Sequence, residues 1–209
     1  MENTLAVKFG NVPITSGILQ RALQQYRSPR SRIHLLQQRG DLVFLRRDLY
    51  LCKTPQGYSR GLIANHLLGP SYVSYETVLS DLGIIPERVY CVRSSCIGRS
   101  RSFENETGRY EYIQVPQSYF EVGLRSVETE QGYYYLSATP EKALCDLVLA
   151  TPGLRIQSLK AAREYLEIYL RADMEAIYRM DAEIIADCIA VAHKKKADLK
   201  QIERLIRHD

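Results

Sequence analysis

The residues of this sequence whose types and spacing could do chemistry lie near its N-terminus, and they suit contact with nucleic acid. Arginine can hold guanine through two hydrogen bonds, while serine and glutamine can meet base edges or phosphates. Guanidinium groups at the tip of a hairpin would reach phosphates or a minor groove. The side chains predicted to contact duplex DNA are Ser28, Arg30, Ser31, Arg32, His34 and Gln37, followed by Arg46 and Arg47.

The charge of the chain is divided unevenly, which supports the same prediction. Residues 1–60 contain ten Lys or Arg and three Asp or Glu, a net charge of +7. Residues 61–209 contain eighteen Lys or Arg and twenty-one Asp or Glu, a net charge of −3. Such a division is typical of a polyanion-binding unit joined to a near-neutral or acidic body.

Two helices are predicted in the basic segment. In "PITSGILQRALQQY", Thr15 or Ser16 can cap a helix, whose apolar stripe at helical spacing consists of Ile18, Leu19, Ala22, Leu23 and Tyr26. In "SPRSRIHLLQQRG", Ser28 is the predicted N-cap, Pro29 the first helical residue and Gly40 the terminator. The predicted inward side of this second helix consists of Ile33, Leu35 and Leu36.

The next run, "DLVFLRRDLYLC", predicts a β-hairpin, because two apolar segments flank a polar break at Arg46, Arg47 and Asp48. Helix, tight turn, helix and hairpin is the order of a winged helix-turn-helix, which we expect over residues 1–55. In such a unit the N-terminal turns of the second helix enter the major groove. Arg30 and Arg32 would lie there.

Beyond the connector "TPQGYSRG", residues 61–209 predict a larger region of mixed structure. Ser74 can cap a short helix that Gly83 and Pro86 end. The runs "RVYCVRSS", "RYEYIQV", "GLRSVET" and "YYYLSA" predict a small, mainly antiparallel sheet, and from Thr139 onward the pattern is helical. The expected fold class is α+β, a winged helix-turn-helix followed by a region with a small antiparallel sheet and C-terminal helices.

The sequence does not favour an enzyme. Metal-dependent nucleases and phosphoryl-transfer folds need clustered carboxylates, whereas Glu111 and Glu141 fit a strand and a first helical turn better. The four histidines are far apart, and Ser94 and Ser95 lack the Gly-x-Ser-x-Gly pattern of a nucleophile elbow. We expect no catalytic residue, no metal site and no cofactor.

Composition also bears on location. The start "MENTLAVKFG" lacks the basic and apolar parts of a signal peptide, and no run of about 18 uncharged apolar residues occurs. We therefore expect a cytoplasmic protein without a membrane partner. Five scattered cysteines with no C-x-x-C pattern predict free, mostly buried thiols.

Two blocks, "GPSYVSYETVLSDLGIIPE" and "SATPEKALCDL", are not generic helix or strand patterns. With "SPRSRIHLLQQRGDLVFLRRDLYLC" and "RYEYIQVPQSYFEVGL", they make nearly the whole chain resemble the AbiEi-like antitoxins of type IV toxin-antitoxin systems, also described as predicted transcriptional regulators of viral defence systems. The family usually has glycine in the hairpin turn before "LY", where this chain has Asp48. Aspartate tolerates a left-handed turn but adds a negative charge beside the expected phosphate contacts.

The resemblance implies a winged helix that binds the operator DNA of its own operon and represses it. It also implies that residues 61–209 form an antitoxin domain in an abortive infection system. That domain would counter a cognate nucleotidyltransferase-like toxin, a functional rather than necessarily a physical partner. The residues leave open a different class, a stand-alone transcription regulator whose second domain senses a ligand or another protein.

Overall fold

The computed structural model describes residues 4–207, and its N-terminal region, residues 4–59, combines helices with a three-stranded sheet. The elements are α1 (Thr4–Phe9), β1 (Ile14–Thr15), α2 (Ser16–Ala22), α3 (Pro29–Gln38), β2 (Leu42–Arg46) and β3 (Leu49–Cys52). Both β1 and β2 pair antiparallel with β3, so the order across the sheet is β1-β3-β2. The two predicted helices and the hairpin are confirmed, whereas α1 and β1 were not predicted.

The start of α3 is fixed by Ser28, as the sequence predicts. Its Oγ accepts a hydrogen bond from the backbone N–H of Ser31 at 3.4 Å. Pro29 occupies the first helical position, where it has no N–H to leave unpaired. The helix ends before Gly40, whose φ of 75° is a left-handed conformation that glycine adopts without steric cost.

The prediction of which residues of these two helices face the core is partly wrong. The residues that are buried as predicted are Leu19, Leu23, Ile33 and Leu36. Ile18, Tyr26 and Leu35 are instead 47%, 41% and 41% exposed. Tyr26 lies beyond the end of α2 at Ala22, so it does not share that helix's face. Leu35 points away because adjacent helical residues are about 100° apart around the axis.

The second region, residues 60–207, contains the remaining elements. Its helices are α4 (Arg60–Leu67), α5 (Tyr75–Asp81), α6 (Gln117–Phe120), α7 (Pro140–Ala150), α8 (Leu159–Glu164, continued by a π-helical turn at Tyr165–Tyr169), α9 (Met174–Tyr178), α10 (Ala182–Val191) and α11 (Lys196–Arg207). Its strands are β4 (Ser71–Val73), β5 (Cys91–Cys96), β6 (Arg101–Asn105), β7 (Gly108–Gln114), β8 (Leu124–Glu128) and β9 (Tyr134–Ala138). The mixed α+β composition and the C-terminal helices are as expected.

The strands of the second region form one sheet in the order β6-β7-β5-β4-β9-β8. Three strand pairs are antiparallel, namely β6 with β7, β4 with β5 and β8 with β9. The pairs β5 with β7 and β4 with β9 are parallel. The antiparallel pairing was predicted. The parallel pairs were not, because turn signals indicate hairpins and carry no information about strands joined by longer connections.

The hydrophobic core has two parts, and the hairpin contributes to both. Leu42 and Cys52 join the cluster formed with α1, α2 and α3. The opposite face of the hairpin joins the large cluster of the second region through Val43, Leu45, Leu49 and Leu51. Alternate residues of a strand point to opposite faces, so one face of this short sheet packs in each cluster. Asn105 Nδ2 also donates a hydrogen bond to Leu45 O at 3.0 Å.

The cysteines are free thiols, as predicted, and all except the half-buried Cys91 are buried. Burial raises the pKa of the Cys52 thiol to about 11, which keeps the thiol protonated and unreactive. Across the part of the chain that the structure describes, we find no helix with the length and apolar character needed to cross a bilayer.

Candidate nucleic-acid interface

The N-terminal turn of α3 presents polar side chains to solvent. Ser28, Arg30 and Ser31 are exposed, and the hydroxyl groups of the two serines share a hydrogen bond of 2.8 Å. They are thereby fixed at the start of a helix, where unpaired backbone N–H groups and the helix dipole favour a phosphate. Within residues 4–207 the side chain of Arg30 has no hydrogen bond or ion pair, so its guanidinium is available to a ligand.

Arg30 and Arg32 lie on different flanks of α3, since residues two apart are about 200° apart around a helix. The guanidinium carbon of Arg32 is 4.9 Å from the centre of the Tyr26 ring, and the side chain is half-buried. Stacking of this kind contributes about 0.5–1 kcal/mol at an exposed site. The structure thus distinguishes two residues that the sequence treats alike, a free Arg30 and an Arg32 positioned by Tyr26.

The middle of the exposed face of α3 is partly apolar. His34 and Gln37 are exposed as predicted, and the Nε2 atoms of His34 and Gln38 are 3.0 Å apart. Leu35, predicted to face the core, is exposed beside them. On a face that enters a major groove, such a side chain can contact the methyl group of thymine. The sequence signal that could have found Leu35 is its helical phase, which falls outside the buried stripe.

The hairpin turn places Arg47 at its tip and Arg46 at the end of β2. The Arg47 side chain is 96% exposed, whereas Arg46 is half-buried and its Nη1 donates to Arg47 O at 3.1 Å. Asp48 has a φ of 63°, the left-handed conformation that its type tolerates. Its Oδ1 accepts a hydrogen bond from Ser16 Oγ at 2.9 Å. The tip is therefore tied to the start of α2, with Arg47 projecting from it.

The positive charge of this part of the molecule is poorly compensated. Residues 4–60 contain ten Lys or Arg but only two acids, Asp41 and Asp48. Asp48 Oδ2 lies 3.8 Å from Arg47 Nε, yet an exposed pair in water contributes only about 0–1 kcal/mol. We use the name basic surface for the exposed side chains Arg30, Ser31, His34, Gln37 and Arg47.

A second cluster of polar residues is buried in the second region, and sequence reasoning missed it. Lys142 of α7 is fully buried; its Nζ donates to Tyr119 O at 2.6 Å and lies 3.1 Å from the centre of the Tyr119 ring. Asp146, one turn further along, accepts a hydrogen bond from Ser74 Oγ at 2.6 Å. Its Oδ1 is 3.8 Å from Lys142 Nζ. These contacts join "GPSYVSYETVLSDLGIIPE" to "SATPEKALCDL".

The buried surroundings of this ion pair disfavour the charged forms of both side chains. Burial lowers the pKa of Lys142, although nearby Asp146 favours the charged form. Burial raises the pKa of Asp146, and this is opposed by Lys142 and by the hydrogen bond from Ser74. Neither side chain of the pair is accessible to solvent, so the pair cannot contact a ligand in solvent. We therefore assign it a structural role in the second region.

Ser74 corrects a prediction. It was expected to cap α5, but its side chain makes no capping hydrogen bond and donates to Asp146 instead. The signal for the cluster was present in the sequence: Lys142 and Asp146 are four residues apart in a helix whose residues from 143 to 150 are otherwise apolar. Two charges in such a setting are stable only if they are paired and hydrogen-bonded.

No protein-family model and no curated protein matches this chain. Among residues 4–207, no group of three or more His, Cys, Asp or Glu side chains is arranged to hold a metal ion.

Proposed function

We propose that the N-terminal region is a winged helix-turn-helix that binds duplex DNA, and that the protein regulates transcription from its own operator. The connectivity α1-β1-α2-α3-β2-β3, with β1 paired to β3, supports this proposal. In helix-turn-helix units the second helix of the pair enters the major groove with its N-terminal residues against the bases. In this chain that helix is α3, which carries every residue of the basic surface except Arg47.

The observation that carries the proposal is the exposed and poorly compensated charge of the basic surface. A guanidinium without an internal partner, such as that of Arg30, has no contact to give up when it pairs with a guanine edge. Ser28 and Ser31 at the helix start would meet a phosphate. Arg47 at the hairpin tip would contact the DNA backbone or the minor groove.

The other predicted contact residues have more limited roles in this proposal. His34 and Gln37 extend the exposed face of α3 and would contact bases further along the groove. Arg32, held against Tyr26, would reach the backbone on the flank opposite Arg30. Arg46 supports the hairpin tip through its hydrogen bond to the Arg47 carbonyl.

The more specific proposal is an antitoxin and autorepressor of a type IV toxin-antitoxin system, whose second region counters a nucleotidyltransferase-like toxin. It is supported by the resemblance of the two blocks that meet through Ser74, Lys142 and Asp146. A stand-alone regulator is the second candidate. The observation that favours it is a basic cleft in the second region, described below, because that cleft suits a small ligand.

Binding of the full chain to DNA from upstream of its own gene tests the first proposal. We expect Arg30→Ala to weaken operator binding by about 1–3 kcal/mol. We also expect the affinity to fall steeply with salt, because bound phosphates release counterions. Fluorescence anisotropy with labelled duplexes measures both effects.

The matched control is Arg99→Ala, which removes an exposed arginine from the loop before β6 and should leave the affinity unchanged. An affinity that does not depend on salt would contradict the electrostatic part of the proposal. An equal loss in Arg30→Ala and Arg99→Ala would contradict the assignment of α3.

Co-expression with the adjacent gene distinguishes the antitoxin from the stand-alone regulator. If that gene encodes a nucleotidyltransferase-like toxin, the wild-type chain should restore growth. Arg30→Ala should lose repression and keep growth rescue. Full-length variants are needed because the hairpin packs into the core of the second region. Failure of the folded wild-type protein to rescue growth would favour the stand-alone regulator.

A further inference from the structure

A basic cleft lies in the second region, far in sequence from the basic surface. One wall is the loop between α7 and α8, at residues 153–155, and the other is the segment 194–198 at the start of α11. The cleft is open and has a volume of about 480 Å³, within the range of small-molecule sites. Its cationic side chains are Arg155, Lys194, Lys195 and Lys196, in a part of the chain whose net charge is otherwise negative.

The two walls are braced against each other. The backbone N–H of Ile156 donates to Asp198 Oδ1 at 2.5 Å, which joins the two loops. Lys195 Nζ donates to carbonyl groups at the C-terminal end of α7. Lys196 Nζ donates to Ala190 O of α10 at 2.8 Å. The cleft is therefore formed before a ligand arrives, which lowers the entropy cost of binding.

The positive charges of the cleft are close to one another, and they outnumber the one acid among the lining residues, Asp198. Arg155 and Lys194 are exposed, and within residues 4–207 neither forms an ion pair. The pKa of Lys195 is lowered mainly by burial and further by repulsion from Lys194 and Arg155, while Asp198 opposes the shift. An anion bound among these groups would replace repulsion with attraction.

We propose that this cleft binds a small oligophosphate, of the class that includes the phosphate chain of a nucleotide. Cations on two facing loops suit a ligand with several adjacent negative charges. Backbone N–H groups in the first turn of α11 add donors of the same polarity. The volume of the cleft suits a small molecule better than a nucleic-acid strand. The proposal does not depend on the DNA-binding function.

Calorimetric titration of the full chain with inorganic tripolyphosphate tests the proposal. We expect one saturable site, and we expect the double variant Arg155→Gln with Lys194→Gln to bind about tenfold more weakly or worse. Both side chains are exposed, so the variant should unfold at the wild-type temperature. Lys195 is left intact because it holds the end of α7.

The matched control is Lys200→Gln, which removes an exposed lysine of α11 that does not line the cleft. Its affinity for tripolyphosphate should stay within about twofold of wild type. Inorganic phosphate should bind more weakly than tripolyphosphate because it carries fewer charges. Equal affinity for the two anions would overturn the oligophosphate class.

Two other results would overturn the site itself. One is a tripolyphosphate affinity of the double variant no lower than that of Lys200→Gln. The other is a double variant that loses more affinity for a single-stranded oligonucleotide than for tripolyphosphate, because the cleft would then be a nucleic-acid contact.

Discussion

The N-terminal region and the second region use the same kinds of polar side chain in opposite ways. Arg30 and Arg47 are exposed to solvent, and the ion pair of Arg47 with Asp48 is itself exposed. Lys142 and Asp146 are buried and contact each other, and they form hydrogen bonds with Tyr119 and Ser74. A solvated charge costs the fold almost nothing and stays available to a ligand, while a buried charge must be paired. The two distinctive blocks of the sequence therefore meet in the core of the second region, and the basic N-terminal segment forms the candidate binding surface.

Breaking the buried ion pair should have the largest effect. Lys142→Ala leaves the Asp146 carboxylate buried without its partner, so the free energy of unfolding should fall by about 3–5 kcal/mol. Urea denaturation followed by circular dichroism measures the loss. The matched control is Lys160→Ala, because Lys160 faces Glu164 at 4.0 Å on the surface and should cost less than about 0.5 kcal/mol. Similar losses in the two variants would show that burial does not distinguish these lysines.

Truncating the hairpin face that packs on the second region should have the next largest effect. Leu45 is 2% exposed and belongs to the large cluster, so Leu45→Ala should destabilise the protein by about 3 kcal/mol. Hydrogen exchange should become faster in β6 and β7 of the second region as well as in the hairpin. The adjacent Phe44, 39% exposed, provides the control Phe44→Ala. Faster exchange confined to α1, α2 and α3 would contradict the shared core.

The smallest expected effect is the difference in DNA binding between the variants Arg47→Ala and Arg46→Ala. Arg47→Ala should weaken DNA binding by about 1 kcal/mol at every sequence and lower the salt slope by about 1, because a phosphate contact carries no sequence information. Arg46→Ala should leave the salt slope unchanged, since Arg46 is half-buried and bonded to the Arg47 carbonyl. Anisotropy titrations on two unrelated duplexes check this. A change in sequence preference for Arg47→Ala would mean that the tip reads bases.

Local signals predicted α2, α3 and the hairpin of the N-terminal region, but neither α1 nor β1. Ser28, Pro29 and Gly40 bound α3 because capping and termination act within a few residues. The apolar type of Leu35 predicts burial, yet the side chain is exposed, because protein surfaces also carry apolar residues. The stacking of Arg32 on Tyr26 was not predicted, because Tyr26 was assigned to the buried stripe of α2.

The sequence by itself determined where α3 begins and ends, the position of the hairpin, where the positive charge is concentrated, and which side chains of α3 are polar. These properties depend on neighbouring residues and on composition. Only the tertiary structure decided that the hairpin belongs to two cores, that β4 and β9 pair in parallel, and that Ser74 meets Asp146 across 72 positions. Such contacts join distant parts of the chain, and their energies depend on burial, which no local pattern specifies.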